Sequence, residues 1–95
     1  MLYDVVQVIP NDDYFVYVYF SNGIIKKYDA RPLLNSGIFS ILKDINFFRE
    51  KCTVINNTLA WDKGGCYNEY ECLDIDPCVI YEQSESIEDP LVKTA

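Results

Sequence analysis

The stretch Asp13–Arg31 constrains the fold most tightly, because it holds two strand-forming runs separated by a turn. The run Tyr14–Phe20 consists of aromatic and β-branched residues, which favour strands. An Asn-Gly pair such as Asn22-Gly23 is the strongest short-range hairpin signal. With the apolar run Leu2–Ile9, this hairpin predicts an antiparallel meander of three strands.

The turn leaves two hairpin registers open. A two-residue turn opposes the apolar Val16 with the charged Asp29. A three-residue loop with a bulge at Gly23 instead pairs Phe20 with Ile24 and places Tyr28 and Ala30 beside Val16–Phe20. We favour the second register. The choice matters because a slip of one residue moves every side chain of the third strand to the other face.

Alternation along the second strand separates its side chains into two sets. These are Val16, Val18 and Phe20 on one face, and Phe15, Tyr17 and Tyr19 on the other. If the first set packs on the helices, the second set lies on the opposite face, to which Tyr3 also contributes. An exposed aromatic face marks a binding surface; the second hairpin or the terminal helix would otherwise cover it. The aromatic set is therefore our candidate partner surface.

Short helices are predicted after the meander. Ser36 is an N-cap for Gly37–Lys43, and Asp44 caps a second short turn that carries Phe47 and Phe48. The apolar residues of the first segment are spaced to share one α-helical face: Ile38, Ile41 and Leu42. Segments this short need packing against the sheet for stability.

A second hairpin and a terminal helix complete the pattern. The hairpin joins Cys52–Ile55 to Thr58–Trp61 around Asn56-Asn57, since asparagine tolerates positive φ. Asp76-Pro77 opens a helix, with aspartate as N-cap and proline in the first turn, and this helix runs to about Ser84.

These elements predict one α+β domain over residues 1–84. Its parts are an antiparallel β-meander, a second hairpin, short helices packed on the sheet and a C-terminal helix. Residues 85–95 are acidic and polar, and we expect them to form a flexible tail.

The net charge of -7 argues against a nucleic-acid-binding protein, which needs clustered lysine and arginine. The same acidity disfavours anionic membranes and suits a basic protein partner. The sequence shows no signal peptide, and no apolar run approaches the roughly 20 residues that span a bilayer. We therefore expect a cytoplasmic protein whose cysteines are reduced.

The cysteines offer one candidate ligand site. Cys66, Cys72 and Cys78 are separated by five intervening residues each, and Cys52 lies well before them. Structural zinc sites usually show closer pairs, often with histidine, and this chain has none. Buried reduced thiols are the favoured interpretation. The alternative is a metal- or small-ligand-binding loop over residues 66–78, and a Cys66–Cys72 disulfide would require an oxidising compartment.

The sequence contains no recognisable catalytic motif. Without histidine, a nucleophile lacks its usual base, and no known catalytic motif or phosphate-binding loop is present. Asp74 and Asp76 are better explained by helix capping than by acid–base chemistry. We interpret Trp61 as a core anchor. The sequence thus predicts no catalytic residue, no cofactor and no enzymatic activity.

The order of motifs carries a family resemblance from about Val5 to Glu82. The matching segments are Val16–Phe20 with Asn22-Gly23, Tyr28-Asp29, Pro32-Leu33-Leu34, Gly37-Ile38-Phe39, Leu42-Lys43-Asp44, Phe48, Trp61-Asp62, Leu73-Asp74-Ile75-Asp76-Pro77 and Ile80-Tyr81-Glu82. In this order they resemble the small bacterial proteins of domain-of-unknown-function family 2442. The segment between Trp61 and Leu73 departs from that pattern by its length, and it carries two of the cysteines.

The resemblance implies a small α+β domain with an antiparallel sheet and no catalytic residues. Some relatives carry a C-terminal helix-turn-helix domain, for which we expect this chain to be too short. Family members are often encoded beside another small protein, which implies a toxin–antitoxin-like pair. We therefore expect a non-enzymatic interaction module that binds a protein partner or self-associates, in its sharpest form an acidic antitoxin-like subunit.

Overall fold

Two antiparallel sheets form the framework of the protein. The computed structural model describes residues 3–35, 37–62 and 72–88. Its strands are β1 (Val5–Pro10), β2 (Phe15–Phe20), β3 (Ile25–Asp29), β4 (Cys52–Ile55), β5 (Thr58–Asp62), β6 (Cys72–Asp74) and β7 (Glu85–Ile87). One sheet has four strands in the order β1-β2-β3-β7, and the other has three in the order β4-β5-β6. The predicted meander is confirmed as the first three strands of the larger sheet.

The favoured register of the first hairpin is confirmed. Val16 lies opposite Tyr28. At the turn, the Phe20 amide donates to the Ile24 carbonyl at 2.9 Å. Gly23 has a φ of 90°, which is accessible to glycine because it lacks a Cβ. The bulge at this glycine therefore sets the register of β3, and Tyr28 lies beside Val16 on the core side.

The second hairpin also forms as predicted, with β5 one residue longer. Its turn residues Asn56 and Asn57 have φ values of 53° and 63°. Positive φ at both central positions is the requirement of a type I′ turn, whose twist matches that of the flanking strands. The Val5 amide donates to the Asn57 carbonyl at 2.9 Å. This bond ties the start of β1 in the larger sheet to the turn of the smaller sheet.

The segment between the two hairpins begins with two 3₁₀ helices, Arg31–Asn35 and Gly37–Lys43. The predicted apolar face of the second is wrong in one respect, because Ile41 is 43% exposed. Leu42 is fully buried, and Phe39 packs against the same core. A 3₁₀ helix has three residues per turn, so Phe39 and Leu42, three residues apart, lie directly in line on one face.

Both predicted aspartate caps are confirmed. Asp44 precedes α1 (Ile45–Glu50) and Asp76 precedes α2 (Pro77–Gln83). Each carboxylate accepts the amide two residues later, at 3.0 Å and 2.8 Å respectively. The predicted cap Ser36 lies outside the described residues. Both α-helices are short, and no helix in the described part of the chain is long and apolar enough to cross a membrane.

The strands β6 and β7 were not predicted. Each has only three residues, includes an acidic side chain and follows no clear alternation, so its sequence carries little strand signal. They are strands because β6 pairs with β5 and β7 pairs with β3. β7 occupies the first residues of the stretch predicted to be a flexible tail, so the folded part extends beyond residue 84. Residues 89–95 lie outside the described part.

A single core lies between the larger sheet, the smaller sheet and the helices. Its buried side chains are Val5, Val16, Val18, Phe20, Tyr28, Ala30, Leu42, Phe48, Leu59, Trp61, Leu73, Ile75 and Ile80. Trp61 is fully buried, and its indole N–H donates to the Phe48 carbonyl at 3.0 Å. The interpretation of Trp61 as a core anchor is confirmed. The predicted α+β class, with its meander, second hairpin, short helices and C-terminal helix, is confirmed as well.

Candidate functional site

The predicted partner surface lies on the side of the four-stranded sheet that faces away from the core. We call this side the outer face. Strand pairing arranges it in three cross-strand rows: Gln7, Tyr19, Ile25 and Ile87; Ile9, Tyr17, Lys27 and Glu85; and Phe15 with Asp29. In the described part of the chain, neither the core nor the half-buried residues packed against it include any of these side chains. The described elements that cover the sheet thus pack on its opposite side, although Tyr19 is itself buried on the outer face.

The structure brings all three aromatic residues of the candidate surface onto this face. Phe15 and Tyr17 are half-buried, whereas Tyr19 is 9% exposed. Tyr19 shares its row with two isoleucines, and Tyr17 shares its row with Lys27 and Glu85. Phe15 and Tyr17 therefore supply most of the accessible aromatic surface on β2.

Tyr3 does not join this aromatic face, which corrects the prediction. Its ring stacks on Tyr81 of α2 at 4.0 Å between centroids and meets Phe20 edge-on at 6.3 Å. Phe20 belongs to the core. The reason is that α2 brings Tyr81 beside Phe20, the last residue of β2, where the ring of Tyr3 can stack on it. That placement depends on a helix almost eighty residues away in the chain.

Charged groups frame Phe15. The Lys27 ammonium lies 4.7 Å from the centre of the ring, and the Arg31 guanidinium lies 4.8 Å from it. Arg31 is held in place by Asp29 through two side-chain hydrogen bonds of 2.9 Å and 2.8 Å. Hydrogen bonding from Arg31 holds the pKa of the Asp29 carboxyl below its ordinary value. The outer face thus combines aromatic area with oriented charges of both signs.

The cysteines that the structure describes do not form a metal site. Cys52 and Cys78 are free and half-buried, and burial raises the pKa of the Cys52 thiol to about 12. The described residues contain no group of histidine, cysteine, aspartate or glutamate that could hold a metal ion. Cys66 and the side chain of Cys72 lie outside the described residues, so the ligand-binding loop over 66–78 stays a prediction. Metal analysis of protein purified without chelator tests it.

The polar groups near Asp74 and Asp76 serve local structure. Asp76 caps α2, and the Thr58 hydroxyl donates to the carbonyl of Ile75. A cleft of about 450 Å³ lies here, with Cys78 on its wall. Both the cap and the buried hydroxyl have intramolecular partners, which supports the capping interpretation over acid–base chemistry.

One residue that the sequence did not single out is buried on the core side of β3. Lys26 is 8% exposed. Its ammonium contacts Ser86 of β7 and the ring of Tyr81. In the sequence, the adjacent residues Lys26 and Lys27 both look like surface residues. Once they are placed in a strand, alternation puts them on opposite faces, and the register decides which of them faces the core.

The fold and this face define the class of protein: a small α+β domain with two antiparallel sheets around one core and a mixed aromatic and charged outer face. A family model described as a protein of unknown function, DUF2442, matches residues 5–86 of the 95-residue chain. The chain belongs to this family. No curated protein and no solved structure matches it.

Proposed function

We propose that this chain is a non-enzymatic protein-interaction module that binds its partner through the outer face. The observation that carries the proposal is the position of Phe15 and Tyr17. They lie half-buried on the side of the sheet opposite the core. Aromatic residues are enriched in protein interfaces because they bury much area at low entropic cost. The two rings are therefore the anchors of the proposed interface.

The charges support a particular kind of partner. The chain carries 15 acidic and 8 basic residues, which gives the net charge of -7. Such a field speeds encounter with a positively charged protein. On the outer face, Glu85 presents an exposed carboxylate to that partner, whereas the Asp29 carboxylate is bonded to Arg31. In its sharpest form the proposal is an antitoxin-like cytoplasmic subunit that neutralises a small basic protein.

The absence of catalysis in this proposal rests on the sequence. The chain has no histidine, and no motif pairs a nucleophile with a positioned base. A protein that acts only by binding a partner needs neither a histidine nor such a motif. Self-association through the same face is the competing outcome, and light scattering of the purified chain distinguishes it from binding to another protein.

The test is co-expression with the product of the neighbouring gene, followed by pull-down and titration. We expect a complex at micromolar concentration that the double variant F15S/Y17S weakens at least about tenfold, since interface anchors of this kind are hot spots. The matched control is Val6→Ser. Val6 is 60% exposed on β1 at an irregularity in the strand pairing, away from the aromatic pair.

Circular dichroism establishes that the variants are folded. A complex that F15S/Y17S leaves unchanged would place the interface elsewhere on the molecule. If no complex forms at micromolar concentration and the chain is monomeric, the proposal fails.

A further inference from the structure

Lys26 is a buried cation whose polar partners within the described residues all belong to one segment, from the end of α2 to β7. Its ammonium donates to the Ser86 hydroxyl at 2.8 Å and to the Ser84 carbonyl at 3.4 Å, and it lies 4.5 Å from the centre of the Tyr81 ring. The ion pairs among the described residues are Arg31–Asp29 and Arg49–Asp12, so Lys26 has no carboxylate partner there. Among the described residues, the end of α2 and the strand β7 alone satisfy this charge.

The strand β7 is small and lies at the edge of the sheet. Among the described strands it pairs only with β3, through three residue pairs: Ile87 with Ile25, Ser86 with Lys26, and Glu85 with Lys27. Glu85 and Ser86 are exposed, and Ile87 is half-buried. An edge strand with so little buried apolar area belongs to the low-stability end of local opening reactions.

The contact between Lys26 and Ser86 therefore has a large share in keeping β7 in place. Burying an ammonium group is costly unless hydrogen bonds replace its water. Ser86 supplies the short hydrogen bond, and the bond to the Ser84 carbonyl is long. Opening of β7 would return the Lys26 ammonium to water. The position of β7 on the sheet therefore depends on the hydrogen bonds from Lys26 to Ser86 and Ser84.

We propose that β7 is a strap that opens while the rest of the domain stays folded, with the Lys26–Ser86 hydrogen bond as its latch. Opening uncovers the edge of β3 at Ile25–Lys27. The backbone N–H and C=O groups of such an edge are a template for an added strand. The strap thus controls whether this edge of β3 is paired, and this inference does not depend on the proposed function.

The test is hydrogen–deuterium exchange of the full chain, read by mass spectrometry. Ser86→Ala removes the short bond and leaves the buried ammonium underpaired. We expect exchange over residues 84–88 to accelerate about tenfold, since a hydrogen bond to a charged group is lost. Exchange over β2 remains unchanged, because the core is untouched. The matched control Glu85→Gln changes the exposed neighbour on the same strand and alters exchange by less than about threefold.

The double variant K26M/S86A tests the role of the ammonium itself. Replacing both partners of a buried hydrogen bond by apolar groups is nearly neutral, so exchange over 84–88 should return to within about threefold of the original chain. Three results would overturn the proposal. They are unchanged exchange over 84–88 in S86A, equal acceleration over β2, which indicates global destabilisation, or failure of K26M/S86A to restore slow exchange.

Discussion

At the scale of single residues, burial gives Trp61 and Cys52 roles that can be tested by substitution. Trp61 fills the core beside Phe48 and also donates its indole N–H to the Phe48 carbonyl. Cys52 is held in its neutral form by burial. Each of these roles gives a measurable consequence for stability.

Replacing Trp61 by phenylalanine should lower the free energy of unfolding by about 2–3 kcal/mol. The variant leaves a cavity and a carbonyl without its donor. Urea denaturation followed by circular dichroism measures the change. The control is Tyr17→Phe on the outer face, for which we expect less than about 0.5 kcal/mol. An unchanged midpoint for Trp61→Phe would contradict the role of Trp61 as core anchor.

The thiol of Cys52 predicts a pH dependence. Its pKa rises from the ordinary 9.0 to about 12 in the folded protein. The unfolded chain therefore loses this proton first, so the stabilising contribution is complete below pH 9 and is lost as pH rises towards 12. Between pH 8 and pH 10, the original chain should lose about 1 kcal/mol more stability than Cys52→Ala. Denaturation curves with equal pH slopes for the two proteins would refute this.

At the scale of elements, turn and cap chemistry decides where helices and strands begin and end. Gly23 with its positive φ sets the first hairpin, the Asn56-Asn57 pair sets the second, and Asp44 and Asp76 start the two α-helices. All of these signals lie within a few residues of the structure that they control. This locality explains why they were predictable.

Substitutions at Asn57 test the turn of the second hairpin. Its φ of 63° suits glycine and is strained for a β-branched residue. We expect Asn57→Gly to keep or slightly raise the thermal unfolding temperature, and Asn57→Val to lower stability by about 1–2 kcal/mol. Asn46→Val on the exposed side of α1 is the matched control, with a smaller effect. Equal stability of the two Asn57 variants would show that the turn tolerates another conformation.

At the scale of the whole molecule, the two sheets share one core. Val16 and Val18 of the larger sheet belong to the same buried cluster as Leu59 and Trp61 of the smaller sheet. The Val5–Asn57 hydrogen bond joins the sheets through the backbone. Neither sheet has a separate interior, so we expect them to unfold together.

This architecture predicts cooperative two-state unfolding. The fluorescence of Trp61, which reports on the smaller sheet and α1, should change at the same denaturant concentration as far-ultraviolet circular dichroism. Hydrogen exchange of the β2 amides should give the same free energy of unfolding as denaturation. Separate midpoints for the fluorescence and dichroism transitions would show that the two sheets are independent units.

Part of the candidate site could be predicted from the sequence. Alternation along β2 placed Phe15, Tyr17 and Tyr19 on one side, and the bulge at Gly23 fixed which residues of β3 lie beside them. The framing of Phe15 by Lys27 and Arg31 required the pairing of β3 with β2. Tyr3 was misplaced because its partner Tyr81 comes from the far end of the chain.

By itself, the sequence determined the two hairpins, both aspartate caps, the α+β class and the family. These follow from turn residues, side-chain alternation and capping, which act over a few neighbouring positions. The tertiary structure decided that β6 and β7 are strands, that Phe39 rather than Ile41 faces the core, and that Lys26 is buried while Lys27 is not. Each of these outcomes depends on a partner element or on the helix type that packing selects. Contacts between residues distant in the chain leave no local pattern from which to predict them.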